Sequence, residues 1–266
     1  MRVIEKRFSE LNFHGHKAFI AYITAGDPSI ESTIRLVKEF ESNGVDIIEL
    51  GIPFSDPIAD GPVNQEAAIR ALKNNINLGQ IFDALRTIRK ESQIPIIFFS
   101  YLNSILSYGM ERFVNDAKDA GLNGALILDL PPEEAGDYKR LMDERDLDTI
   151  FLVSPITPPE RIEIITRYAS GFVYYVSQMG VTGERERISK SIASRVKEIQ
   201  GHTNIPVAVG FGVSTPEQVR EISKYADGVI VGSSIVKKIG EKGTQPGFEK
   251  EIGRYVKTLT APLKGE

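Results

Sequence analysis

The chain has 266 residues, 41% of them hydrophobic and 26% charged, with 32 basic against 36 acidic side chains and a formal net charge of −4. That is globular composition, and its small negative balance supplies no basic stripe for a nucleic-acid backbone. With no Cys, a disulfide, a thiolate nucleophile and a cysteine-type zinc site are all excluded.

The opening stretch MRVIEKRFSEL is charged, helical in pattern and without a long apolar core, so a helix is expected there rather than a signal peptide. His14, His16 and His202 are the only histidines; none ends a strand-like run, so surface or structural roles and no metal site are expected. AFIAYI (18–23) is the first of eight short, β-rich apolar runs. The others are DIIEL (46–50), PIIFFSY (95–101), GALILDL (124–130), TIFLVS (149–154), GFVYYVS (171–177), IPVAVGF (205–211) and DGVIVGS (227–233). Several are continuous rather than alternating, as parallel strands covered on both faces require. None approaches the length of a membrane span, and a soluble cytoplasmic protein is the expectation.

Helical patterns separate the runs. Ile30, Ile34, Val37 and Phe40 form one stripe, with Pro28 near its start and Gly44 as a stop. The interval 51–95 is too long for one crossover helix, and predicts a loop over 51–61 followed by helices over 62–73 and 77–91. MERFVNDAKDAG and PPEEAGDYKRLMDERD read as further helices. STPEQVREISKYADG offers Thr215 as N-cap, Pro216 at the first helical position and Gln218 three residues after the cap. PGFEKEIGRYVKTLTAPL is a last helix. No linker divides the chain, so 1–266 is predicted to be one (β/α)8 barrel, with an extra N-terminal helix and additional helices in the crossovers. A doubly wound open sheet is the alternative, but YITAGDP is not a G-x-G-x-x-G turn.

Barrel active sites gather at the C-terminal ends of strands and in the loops that follow. Glu49 lies near the end of the second run and points opposite to Ile48 and Leu50, toward the helix layer or the barrel mouth. Burial without a partner would cost several kcal/mol on the helix side, so a structural ion pair and a catalytic acid are the two readings. Asp60 taken alone reads as the N-cap of the helix that begins at Pro62, and Asp56 as a turn residue. Together, Glu49 and Asp60 allow a loop that folds back to set a second carboxylate over the first, dividing proton donation from proton acceptance. Gly210 and Gly212 after the seventh run, with Gly232, Ser233 and Ser234 after the eighth, stand where barrels build a phosphate cradle from backbone N–H groups. Residues 178–191, charged and rich in Gly, suit either a mobile lid or a solvated loop. Tyr174 and Tyr175 alternate, so one faces inward and one outward. No predicted strand carries a lysine inside it or at its C-terminal end, which argues against Schiff-base chemistry.

The stretch IELGIPFSDPIADG resembles the signature of the tryptophan synthase alpha chain family, and YITAGDP, SYLNSI, LDLPPEE, SQMGVTG, VGFGVSTPEQV and DGVIVGSSIVKKI resemble it in order along the whole chain. The resemblance implies a barrel that cleaves indole-3-glycerol phosphate to indole and glyceraldehyde 3-phosphate, with no cofactor of its own. It implies a beta-chain partner in an α2β2 assembly, that partner carrying pyridoxal phosphate and condensing indole with serine. By the same resemblance Glu49 is the proton-transferring glutamate, Asp60 the aspartate at the indole nitrogen and Tyr174 the tyrosine beside the glutamate. The resemblance also implies that Thr182 closes the lid onto Asp60, that Gly183, Gly212, Gly232 and Ser233 contact phosphate, and that Tyr22, Phe99, Leu126 and Phe211 line the indole pocket. The partner is expected on the rim formed by Pro53, Phe54 and Asp56 and near Asn103 and Ser104, docking there favouring closure. Two positions depart from the family's usual residues: Gln178, often basic, and Tyr22, often phenylalanine.

Two rivals differ in chemistry or class. Sugar-phosphate isomerases and the synthase that forms indole-3-glycerol phosphate share such barrels, although the synthase is expected to place lysines at strand ends. A non-catalytic barrel that only activates a partner would have no need of both Glu49 and Asp60.

Overall fold

Each of the eight apolar runs forms a strand, and the strands pair in parallel and in chain order until the eighth returns to the first and closes a barrel. The computed structural model describes residues 1–177, 185–210 and 212–265, and over 185–190 the backbone alone. The strands are β1 (Ala18–Thr24), β2 (Ile47–Gly51), β3 (Ile96–Ser100), β4 (Gly124–Ile127), β5 (Asp148–Val153), β6 (Val173–Val176), β7 (Val207–Gly210) and β8 (Gly228–Val231). The chain begins with α1 (Val3–Phe13), and α2 (Ile30–Ser42) crosses from β1 to β2. The β2–β3 crossover holds α3 (Pro62–Leu72) and α4 (Leu78–Arg89), and the next holds α5 (Leu102–Tyr108) and α6 (Met110–Ala120). Then come α7 (Gly136–Glu144), α8 (Pro159–Tyr168), α9 (Arg185–Gln200) and α10 (Pro216–Ile222), with α11 (Ser233–Lys242) and α12 (Phe248–Thr260) after β8. This is the (β/α)8 barrel with an added N-terminal helix and doubled crossovers that the sequence predicts.

The local signals act as expected. Val37 and Phe40 of the α2 stripe are fully buried, Ile30 and Ile34 pack at its edge, and Ser29 caps the helix by accepting from the Ser32 N–H at 3.1 Å. Thr215 and Gln218 exchange bonds as a capping box at the start of α10, and Asn77 and Gln80 do the same for α4. Two elements differ from expectation. The run GALILDL leaves the ladder after Ile127, where the chain turns at 128–129 and the Leu130 N–H bonds back to the Ile127 carbonyl at 3.4 Å. The helix predicted from PPEEAGDYKRLMDERD divides into a 3₁₀ turn over Pro132–Glu134 and α7.

Alternate strand residues feed two cores. Phe19, Ile48, Leu50 and Phe98 pack outward against helices, while Ile20, Ile47, Ile97 and Leu126 fill the barrel interior. Helix α1 plugs the interior at its N-terminal end, where Ile4, Phe8 and Leu11 join the inner cluster and Phe8 meets Phe172 with ring centroids 6.0 Å apart. Burying such side chains stabilises by roughly 2 kcal/mol each. Asp46, fully buried just before β2, ties this end together. It accepts from the Phe19 N–H at 2.7 Å, from Arg7 at 2.6 Å and from Lys264 at 2.7 Å, and so joins α1, β1 and the C-terminal tail.

Replacing Asp46 with Ala is expected to cost about 3 kcal/mol, the order found when one partner of a buried pair is removed. Chemical denaturation should show it as a lower midpoint. A loss below about 1 kcal/mol would mean that the three donors find water instead.

Candidate active site

With α1 packed into the N-terminal end of the interior, the C-terminal mouth is the end left for a ligand-binding site. Ile47 belongs to the inner cluster and Ile48 and Leu50 to the outer, so Glu49 points into the interior. It is 1% exposed, and its Oε1 has no hydrogen-bond partner. Among the described residues no cation pairs with it, which favours the catalytic reading over the ion pair. Burial is the main cause that pushes its pKa up to about 8, and the negative charge of Asp60 adds to it. The Glu49 carboxyl is thus protonated at neutral pH, as a proton donor must be.

Asp60 is not an N-cap. Gly61 holds that position in α3, and Pro62 needs no acceptor, so the Asp60 carboxylate is free to turn toward the mouth. Its Oδ2 accepts from the Tyr101 hydroxyl at 2.9 Å, and its backbone carbonyl accepts from Gln65 at 2.9 Å. Burial raises the Asp60 pKa, and hydrogen bonds from Tyr101 and Asn64 pull it back. Asp56 lies apart from both acids. It is exposed, accepts from the Ser55 hydroxyl at 2.6 Å and stands on the outer rim.

Tyr22 pairs in register with Glu49 across β1 and β2, and its ring meets Phe99 edge-on at 5.3 Å. Tyr174 faces inward and Tyr175 outward, as their alternation requires. Both inward hydroxyls depend on glycines. A Cβ at Gly51 would lie 2.3 Å from the Tyr22 hydroxyl, and one at Gly210 would lie 2.6 Å from that of Tyr174. Burial raises the pKa of both tyrosines, helped by nearby acids, so both remain neutral. Leu126 is fully buried and belongs to the floor, whereas Leu128, Leu152 and Val176 sit half-buried above it on the same face. These three, with Tyr101, extend the site beyond the sequence-based set. Stepping by two along each run from an inward residue, 97 to 99 to 101 or 126 to 128, would have found them.

The opposite side of the mouth is polar backbone. Gly232 precedes α11, whose first N–H groups have no acceptors within the helix. Gly212 holds φ +75°, and the Ser234 hydroxyl donates to the Val213 carbonyl at 3.3 Å, tying the two late loops together. Ser233 is exposed at the start of the helix. Gln178, Thr182, Gly183 and Phe211 lie outside the described residues, so the expected lid contact and two of the expected ligand contacts do too. His14 and His202 are exposed and His16 is half-buried. Among the described residues no group of three His, Asp or Glu is placed to hold a metal, and no helix is long and apolar enough to cross a membrane.

Comparison with known proteins points one way. The family described as tryptophan synthase alpha chain matches residues 8–260. The tryptophan synthase alpha chain of Citrifermentans bemidjiense is 44% identical over 266 residues, which covers 100% of this chain and 99% of that one. That of Geobacter sulfurreducens is 45% identical over 259 residues, covering 97% and 98%. The crystal structure of tryptophan synthase subunit alpha from Legionella pneumophila superposes with a TM-score of 0.92 at 34% identity, covering 100% of each chain.

The buried Glu49 carboxyl also sets a pH dependence of stability. It is protonated in the folded chain up to about pH 8 but ionises in the ordinary carboxylate range when unfolded, so its contribution falls as pH rises between those limits. A Glu49→Gln protein should therefore gain stability over the wild type as pH rises from about 5, with the gap levelling above about 8. Thermal unfolding across that range measures it. A gap that stays constant with pH would show that the carboxyl titrates normally in the folded state.

Proposed function

This chain belongs to the tryptophan synthase alpha chain family, and we propose how its own residues carry that family's reaction. The enzyme is a lyase of tryptophan biosynthesis that cleaves indole-3-glycerol phosphate to indole and D-glyceraldehyde 3-phosphate by a retro-aldol step. One observation carries the assignment of roles: two carboxyls of unequal environment share the mouth, Glu49 dry and protonated and Asp60 held by donors.

In this reading Glu49 gives its proton to the ring carbon that bears the glycerol phosphate chain. The ring nitrogen becomes electron-poor, and Asp60 steadies its N–H as an anionic acceptor. Glu49, now a carboxylate of high proton affinity, takes the proton of the side-chain hydroxyl on the adjoining carbon. The carbon–carbon bond breaks, its electron pair returns to the ring, and indole and the aldehyde leave with Glu49 protonated again. Tyr174 stands beside Glu49 as a neutral hydroxyl, and Tyr22, Phe99 and the leucines above Leu126 give the ring an apolar slot. The phosphate takes the N–H groups around Gly212, Gly232 and Ser233. A Cβ on Gly232 would also press on Tyr22, 3.2 Å from its Cβ, so the phosphate end and the ring pocket share a wall.

The same reading gives the chain a beta-chain partner in an α2β2 assembly in the cytoplasm, pyridoxal phosphate belonging to that partner. Two large apolar side chains on the rim support the docking surface: Ile58 in the loop after β2 is 89% exposed, and Leu106 in α5, near Asn103 and Ser104, is 53% exposed.

Glu49→Gln should lower the rate of indole release from indole-3-glycerol phosphate by at least about 10²-fold with KM changed only a few-fold, the pattern of a lost proton transfer. Asp60→Asn should lose most of the activity too, the amide retaining one acceptor oxygen. Near-normal turnover in Glu49→Gln would remove it from the mechanism. For the partner, indole release with and without the beta chain should rise less in Asp56→Ala than in wild type. Equal activation in an Asp56→Ala protein that still binds would return Asp56 to a plain turn residue.

A further inference from the structure

We propose that Tyr101 is a positioning residue for this cleavage: its hydroxyl orients the Asp60 carboxylate and keeps it ionised at the mouth. The inference rests on the reading of Asp60 as an anionic acceptor and assigns the group that makes it one.

The direction of the Tyr101 proton is settled by its other neighbour. The hydroxyl oxygen accepts the Ala59 N–H at 3.0 Å, and a backbone amide can only donate. The one phenolic hydrogen is therefore left for Asp60, whose Oδ2 lies at 2.9 Å. An Oδ2 that receives this hydrogen bond is best served by being unprotonated, since an acid hydrogen there would face another O–H. Burial raises the Tyr101 pKa and the hydrogen bond to Asp60 raises it further, so the hydroxyl stays a donor across the working range.

Burial around the pair pushes the other way. The protonated Glu49 approaches from β2 and the neutral Tyr22 from β1, so neither supplies a positive charge, while Asp129, just beyond β4, lies near Tyr101. Burial favours a protonated Asp60, and hydrogen bonds from Tyr101 and Asn64 oppose it. Tyr101 is held on several sides. It is 4% exposed, it directly follows β3, and the next backbone N–H is held by Asp129 at 2.7 Å.

The ring has a separate duty. It stacks on Phe54 at 5.1 Å, so a single side chain holds the loop after β2 near its start and at its end. Phenylalanine keeps the stack and deletes the hydroxyl, which makes Tyr101→Phe a clean variant.

The full chain is assayed for indole release from indole-3-glycerol phosphate across pH as wild type, Tyr101→Phe, Asp60→Asn and the double variant, with thermal unfolding as a check on folding. In parallel, the side-chain carboxyl carbon of Asp60 is titrated by NMR in wild type and Tyr101→Phe. The expected result is a fall in kcat of about tenfold or more with KM within about threefold, and an acid limb of kcat/KM displaced to higher pH. The Asp60 titration should move up by about one pH unit, because a donor to the charged form has been lost. In the Asp60→Asn background the hydroxyl deletion should cost less than about twofold, since its target is gone. Three outcomes overturn the proposal: wild-type kcat in Tyr101→Phe, an unmoved Asp60 titration, or an equal fall in both backgrounds, which would mark a structural role only. An Asp60→Asn protein of near wild-type turnover would instead remove Asp60 from the reaction, and this proposal with it.

Discussion

Holding a carboxyl in the dry interior of a barrel, with no cation beside it among the described residues, is the constraint around which this molecule is organised. Water would stabilise Glu49 as an anion; the interior keeps the proton on it. Several distant features serve that end. Helix α1 packs Ile4, Phe8 and Leu11 into the inner core at the N-terminal end and keeps that end dry. Gly51 and Gly210 leave space for two tyrosine hydroxyls beside the acid, where any Cβ would displace them. The cost of leaving Glu49 unpartnered falls on stability, and the two cores of the barrel offset it.

Strand β2 shows the two uses of a buried acid within four positions. Asp46 is 0% exposed and Glu49 1% exposed, so burial does not distinguish them. Their partners do. Asp46 is met by two cations and a backbone N–H, and it fastens the chain's two ends to the barrel. Glu49 keeps an oxygen with no partner. The barrel thereby separates stability, at the N-terminal ends of its strands, from chemistry, at their C-terminal ends.

The loop after β2 adds what a single strand cannot. Two acids on one strand face would sit at fixed spacing, whereas a loop can bring its carboxylate to meet the first from above. That freedom needs an anchor, and Tyr101, directly after β3, provides one by bonding to Ala59 and Asp60 and stacking on Phe54. Glu49 and Asp60 then differ for a physical reason: one is fully buried with an oxygen that has no partner, and the other has donors.

Strand runs, helix caps and the order of elements were legible along the chain because they rest on local patterns, as at Thr215, Pro216 and Gln218. The inward direction of Glu49 was half legible: alternation set it opposite to Ile48 and Leu50, yet could not say which face was the interior. Asp60 was ambiguous, since an aspartate before Gly and Pro is the usual sign of a cap, and only the docking of α3 with Gly61 at its start freed it. Tyr101 could not be read at all as a partner of Asp60, because 41 positions separate them and no pattern along a chain encodes which loop will fold over which strand. The sequence by itself determined the barrel, its periodicity and the identity of its acids, because neighbouring residues and the backbone's own geometry suffice for those. Tertiary structure alone decided which acid is dry, which is held by a donor and which merely stands on the rim, because solvation and hydrogen bonding depend on what closes around a group in space.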